Sequence, residues 1–259
     1  MARSAWAITI SVWRALFLRD AIFRLFSRRG AWVWLILEPI LQIAFLIFIF
    51  TAIRLRVIGG IDTALWLLAG MLGFFMFRRT MNAGMAGIQM SKALFTYRQV
   101  QPVDTVLVRA VTEGVLMFII SLIIFLGAAV LGLDVVPDNL FGVMYAIFTL
   151  WLLGLGTGLL MSVPKVIVAE SGDIFNILMM PLYLLSGAIF PIATLPSPYK
   201  EWLLINPIAH SLELIRISFA SHYIGISELD RLYPLVFSLI LVLLGLVIHR
   251  IFKRKVIEL

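Results

Sequence analysis

Five stretches of this chain are each about as long as a bilayer is thick, and they carry almost no charge. Residues 31–53, 106–131, 140–163, 174–192 and 233–251 are apolar runs of 19 to 26 residues. A helix needs about 20 apolar residues to cross about 30 Å of hydrocarbon. A sixth segment is less plain. Residues 64–77 number fourteen, which makes about 21 Å at 1.5 Å per residue and is too short to cross alone. The apolar pattern continues through Met81, Ala83, Gly84, Met85, Ala86, Gly87 and Ile88. The second helix is therefore extended to about residue 89, which places Arg78 and Arg79 at membrane depth.

Composition agrees with this reading. The chain is 62% apolar and 14% charged, against about 45–50% and about 25% in soluble domains. Such a chain would overfill any water-soluble core. A formal charge of +7 could mark a nucleic-acid binder. Here Lys and Arg flank the apolar runs, where they meet lipid headgroups, and no nucleic acid is expected. With no cysteine, disulfide frameworks, thiolate catalysis and zinc–thiolate sites are excluded.

The expected fold class is all-α integral membrane. It has six transmembrane helices, an N-terminal interfacial helix and re-entrant helices between spans five and six. Residues 1–29 form the interfacial helix: Trp6, Ile10, Trp13, Phe17 and Ala21 recur at helical spacing, with arginines interleaved. No cleavable leader is expected there, because Arg14, Arg19 and Arg24 interrupt the apolar run. Residues 30–259 form one six-helix membrane domain. Residues 195–225 hold Pro196, Pro198, Pro207, Glu201, Glu213 and Arg216, too polar for a simple span. Broken backbone at membrane depth must be buried in protein or line a wet cavity.

Six spans put both termini on one side, taken as cytoplasmic. That side then holds fourteen Lys and Arg, from Arg3 to Lys255. The outer side holds five: Arg54, Arg56, Lys200, Arg216 and Arg231. No phosphate-binding loop of the form G-x-x-x-x-G-K-S/T is present, so the chain is not expected to hydrolyse ATP itself. His210, His222 and His249 are scattered, and neither a metal site nor an enzyme is expected.

Charges deep in a span line an aqueous path or neutralise one another. For Glu38 and Glu113 the favoured reading is pairing between helices. For Arg78 and Arg79 both readings stand, the functional one being a route for an anionic substrate. Phe74, Phe75 and Phe77 adjoin that pair and could stack on sugar rings, although at most one or two of them could face a path. Residues 89–105, with Ser91, Lys92, Phe95, Tyr97, Arg98, Gln101 and Pro102, read as a short amphipathic helix for a partner's groove.

The run RRGAWVWLILEP, residues 28–39, resembles the start of the first span in polysaccharide-type ABC exporter permeases; its telling members are Arg28, Arg29, Trp32, Glu38 and Pro39. SGAIFPIATLP, residues 186–196, is similar to that family's fifth-span ending. Asp173, Asn206-Pro207 and Glu213-x-x-Arg216 follow the family pattern. Within the family the chain looks most like the inner-membrane permease of capsular polysaccharide exporters. The resemblance implies a homodimer that binds two separate ATPase subunits, with ATP and Mg held by those partners. It implies export of a lipid-linked polysaccharide across a bacterial inner membrane, with co-polymerase and outer-membrane proteins continuing the route. Residues 89–105 then become the coupling segment, with Ser91, Lys92, Phe95, Tyr97 and Arg98 facing the ATPase. The path would run past Arg78, Arg79, Phe74, Phe75, Phe77 and Glu38. The re-entrant helices would gate through Pro191, Pro196, Asn206, Pro207, Glu213 and Arg216. The alternatives are an ion-coupled carrier using Glu38 and Glu113 as proton sites, or a related permease for O-antigen, teichoic acid or a small molecule.

Overall fold

The computed structural model describes residues 5–26, 30–97 and 99–258. In chain order the elements are α1 (Ala5–Phe26), α2 (Ala31–Ala52), β1 (Val57–Ile58), β2 (Ile61–Asp62), α3 (Thr63–Met85), a 3-10 helix (Gln89–Thr96), α4 (Pro102–Val130), α5 (Leu140–Ile167), α6 (Glu170–Leu185), a second 3-10 helix (Ile192–Thr194), α7 (Tyr199–Leu203), α8 (Pro207–Phe219) and α9 (Leu232–Glu258). Among the described residues, four helices, α2, α4, α5 and α9, are long and apolar enough to cross a membrane.

The central element is α3. Every residue from Leu65 to Phe77 is buried, with Trp66, Leu67 and Phe74 at 0% exposure. A helix that is apolar all round belongs inside a bundle. It crosses α5 at Gly154 and Gly158, where the lack of a side chain on α5 admits the α3 backbone. A Cβ on Gly154 would meet the Phe77 carbonyl at 2.6 Å, and one on Gly158 would meet the Met81 carbonyl at 3.0 Å. Small residues at such a crossing let membrane helices approach and pack by dispersion. The α5–α9 contact repeats the device at Gly245, where a Cβ would lie 2.6 Å from Cβ of Leu159.

The helix does continue past Phe77, but α3 ends at Met85 rather than at about residue 89; it carries both arginines in its last three turns. Other boundaries differ from expectation. The fifth apolar run spans residues 174–192, but α6 is 16 residues and ends at Leu185. Gly187 turns the chain left-handed at φ +75, a conformation that glycine tolerates. At 16 residues α6 reaches only about 24 Å. The predicted 89–105 helix is divided. A 3-10 helix occupies Gln89–Thr96, Tyr97 is extended, and residues 102–105 begin α4. Pro102 at the first helical turn and the Gln101–Asp104 capping box start that helix, and proline forces the preceding Gln101 into extended backbone. The strictly all-α expectation also gives way to a small antiparallel hairpin, Val57 opposite Asp62 and Ile58 opposite Ile61. Its turn is Gly59-Gly60, both at positive φ, which two-residue hairpin turns require.

Between α6 and α9 the chain folds back as α7 and α8. Asn206 caps α8 by accepting from the Ile208 amide at 3.0 Å, and Pro207 takes the first position. Residues 207–216 are all buried. Arg216, one of the five cations expected on the outer side, is buried at 0% exposure.

Candidate functional site

The charges within the apolar helices gather toward one end of the bundle. Glu38 lies seven residues into α2, Arg79 six before the end of α3 and Glu113 eleven into α4. At 1.5 Å per residue, all three fall toward the same end of the bundle as the 89–96 segment. Arg79 Nη2 donates to Glu38 Oε2 at 2.9 Å. Arg79 Nη1 is buried and has no partner among the described residues, so the guanidinium keeps capacity for a second acceptor. Arg78 is half-buried, with its guanidinium carbon 5.3 Å from the Phe75 ring centroid, within cation–π range.

The aromatic neighbours are distributed unevenly. Phe74, Phe75 and Phe77 are all at least 98% buried. Phe74 packs on Tyr183 at 4.6 Å between centroids and meets Phe77 edge-on at 5.9 Å. Within one chain Phe74 and Phe75 are core residues. Phe77 also borders an apolar cavity of about 450 Å³ with Phe175, Met179 and Trp202.

A second charge group joins α1 to α4. Arg24 bonds Asp20 at 3.3 Å and also pairs with Glu113; Arg109 approaches Asp20 at 3.5 Å. Asp20, Arg109 and Glu113 are each more than 90% buried. Sequence reading missed Asp20. Its signal was present: it is the sole acid in α1 and sits four residues before Arg24, a favourable pairing distance on a helix.

In the 89–96 segment, Ser91 is buried and accepts from Arg19 at 3.3 Å. Phe95 is half-buried against the α4–α5 core. Tyr97 and Met90 are exposed, at 64% and 53%, and Lys92 is exposed. Arg98, like Arg28 and Arg29 of the first motif, lies outside the described residues.

Of the residues expected to gate, Glu213 and Arg216 join a buried clamp. Arg216 bonds Glu213 at 2.7 Å and the Gly187 carbonyl at 2.8 Å, and its guanidinium lies 3.6 Å over the Trp66 indole. Trp66 donates to Tyr223 at 3.1 Å, and Tyr223 donates to Glu213 at 3.1 Å. Trp66 and Tyr223 had no signal in their local sequence, because the contacts span about 150 residues. Pro191 precedes the 3-10 turn at Ile192–Thr194, and Pro196 is exposed.

Comparison with known proteins gives a consistent result. The sequence pattern of the family described as ABC-2 type transporter matches residues 11–220. The chain is 31% identical to the polysialic acid transport protein KpsM of Escherichia coli, covering 96% of each chain. It is 26% identical to the capsule polysaccharide export inner-membrane protein BexB of Haemophilus influenzae, covering 98% of this chain and 96% of the relative. It is 24% identical to the inner-membrane protein CtrC of Neisseria meningitidis serogroup A, which is named for the same export, over 93% of this chain and 91% of the relative.

Proposed function

We propose, from the premise that this chain belongs to the ABC-2 type transporter family, how it works as an ABC exporter permease for capsular polysaccharide in a bacterial inner membrane. One observation carries the cargo: the match to capsule-export inner-membrane proteins runs nearly end to end. An end-to-end match with no phosphate-binding loop leaves ATP hydrolysis to a separate subunit.

In this reading α3 and α6 complete six spans with α2, α4, α5 and α9, and both termini face the cytoplasm. Two copies associate, each with one ATPase subunit docked at residues 89–97. Exposed Met90 and Tyr97 suit insertion into that partner's groove. Co-polymerase and outer-membrane proteins continue the route. ATP and Mg stay on the partner. Closure of the ATPase pair pushes the 89–97 segment and opens a path beside α2, α3 and α6. Arg78 and Arg79 then attract the phosphate or sugar carboxylate of a lipid-linked polymer, which must bind firmly enough to enter and weakly enough to leave. Arg79 Nη1 is the available donor. Glu38 sets the orientation of Arg79 by its ion pair. A proton-coupled carrier would need free acids, and Glu38 and Glu113 are each paired with arginine.

The test is deletion of this chain in its host, together with purification of the tagged protein. Loss of surface polysaccharide with polymer retained inside, and recovery of a stoichiometric ATPase, is the expected result. Normal surface polysaccharide, or no ATPase in the purified complex, would overturn the reading.

A further inference from the structure

The α3 helix is open along one stripe. Of the residues from Leu65 to Met85, all of them described, Arg78, Arg79 and Asn82 are the only ones that are not buried. Spacings of three and four residues put Asn82 on the same face as the two arginines, one turn nearer the 89–96 segment. Its amide oxygen is enclosed and has no hydrogen-bond partner among the described residues. Arg79 Nη1 is in the same condition. Thr80 is the contrast: its hydroxyl is also unpartnered, but its Cβ lies in the crossing with α5, 2.9 Å from where a Cβ on Gly154 would stand. The stripe therefore offers two arginines and one neutral acceptor.

We propose that Asn82 is a specificity-determining residue of the path, whose amide oxygen accepts a hydroxyl of a sugar while Arg78 and Arg79 hold that sugar's anionic group. The division of labour follows from the donors and acceptors present. A guanidinium carries N–H donors and no acceptor, so it binds a phosphate or carboxylate but leaves a neighbouring hydroxyl proton without a partner. A carboxylate would accept that proton and repel the anion; a neutral amide accepts it without repulsion. Glu38 is the nearby alternative acceptor, and its charge is already committed to Arg79. An acceptor kept from water is satisfied only when a donor arrives, so a ligand lacking the hydroxyl is disfavoured. The stripe thus suits an anionic sugar over a bare anion of equal charge. This inference rests on the reading of Arg78 and Arg79 as the anion-attracting part of the exporter's path.

The experiment uses the complex of permease and ATPase subunits in lipid nanodiscs, with two probes of the same alkyl chain and charge. Dodecyl glucosyl phosphate carries sugar hydroxyls; dodecyl methyl phosphate carries none. The parent is expected to bind the glucosyl probe about fivefold tighter, the worth of one neutral hydrogen bond. Asn82→Ala is expected to make the two dissociation constants nearly equal. Asn82→Asp keeps an acceptor but adds a negative charge, and is expected to weaken both probes. Arg78→Ala with Arg79→Ala should also weaken both. If Asn82 served packing alone, Asn82→Ala would shift both constants together and leave their ratio as in the parent, which would overturn the proposal. Equal binding of the two probes by the parent would overturn it without any variant, so the test stands even where a variant fails to fold. Recovery of the ATPase with the parent reports separately on the exporter reading. With the ATPase recovered and neither probe bound, the arginine path falls and the proposal with it.

Discussion

The guanidinium of Arg216 lies 3.6 Å over the indole of Trp66, across 150 residues of chain, with no exposed surface on either residue. This pair fastens α8 to α3 and sets how the folded-back segment is held. Arg216 also binds Glu213, the carbonyls of Gly187 and Ala188 and the Trp66 carbonyl. A Cβ at Gly70 would lie 2.2 Å from Arg216 Nη2, so glycine there is what admits the guanidinium.

Glu213→Ala should therefore destabilise the protein by about 3–5 kcal/mol, because the buried arginine loses its countercharge. The check is thermal unfolding in detergent, with a lower midpoint and lower yield expected. Gly70→Ala should act in the same direction. A Glu213→Ala protein as stable as the parent would show that this pair contributes little.

Gly154→Ala should weaken the α3–α5 crossing, since its Cβ would meet the Phe77 carbonyl at 2.6 Å. Overpacking of this kind costs about 1–3 kcal/mol. Gly127→Ala is the control: nothing lies within 4 Å of its Cβ, and alanine in a helix gains up to about 1 kcal/mol over glycine. Opposite shifts in the unfolding midpoint are expected.

The double substitution Arg78→Ala with Arg79→Ala should abolish export while the complex with the ATPase still assembles. Surface polysaccharide staining alongside co-purification reads both properties. A normal capsule in that variant removes these arginines from the path.

Tyr97→Ala should leave the fold intact, because the ring is 64% exposed, and should uncouple ATP hydrolysis from transport. The measurement is polymer moved per ATP in vesicles. Unchanged coupling would reject this residue as a docking contact.

Outside the spans, Asp138 accepts from the Ser221 amide at 2.7 Å, and that bond holds its carboxyl below the ordinary 3.8. A depressed carboxyl adds stability that is present above its unfolded value and is lost as pH falls through the folded one. Asp138→Asn should thus lower the unfolding midpoint slightly at neutral pH. The difference from the parent should close as the pH drops below 3.8. A difference that persists undiminished in acid would assign it to shape rather than charge.

Much of the fold was readable because apolar length is a local property. The runs at 31–53, 140–163 and 233–251 coincide closely with α2, α5 and α9. The extension of the second helix past Arg79 followed from the same arithmetic. The errors fell where backbone chemistry interrupts an apolar run: Gly187 ended α6 early, and Pro102 divided the segment after residue 89. The candidate site was readable in part. Glu38, Arg79, Glu113, Glu213 and Arg216 stood out because charge in an apolar run is rare. Their partners did not. Asp20 sat inside a helix already read as a basic surface element, and Trp66 looked like any other apolar residue.

Taken by itself, the order of residues determined that this chain is a bundle of membrane helices and where most of those helices begin and end. These follow from runs of neighbouring residues, whose transfer free energies add along the chain. The tertiary structure alone decided which acid meets which arginine, that three phenylalanines beside Arg78 face inward, and that α1 is pinned to α4. Those outcomes depend on helices distant in sequence approaching within a few ångströms, and a buried charge is stable only beside the partner that the packing brings to it.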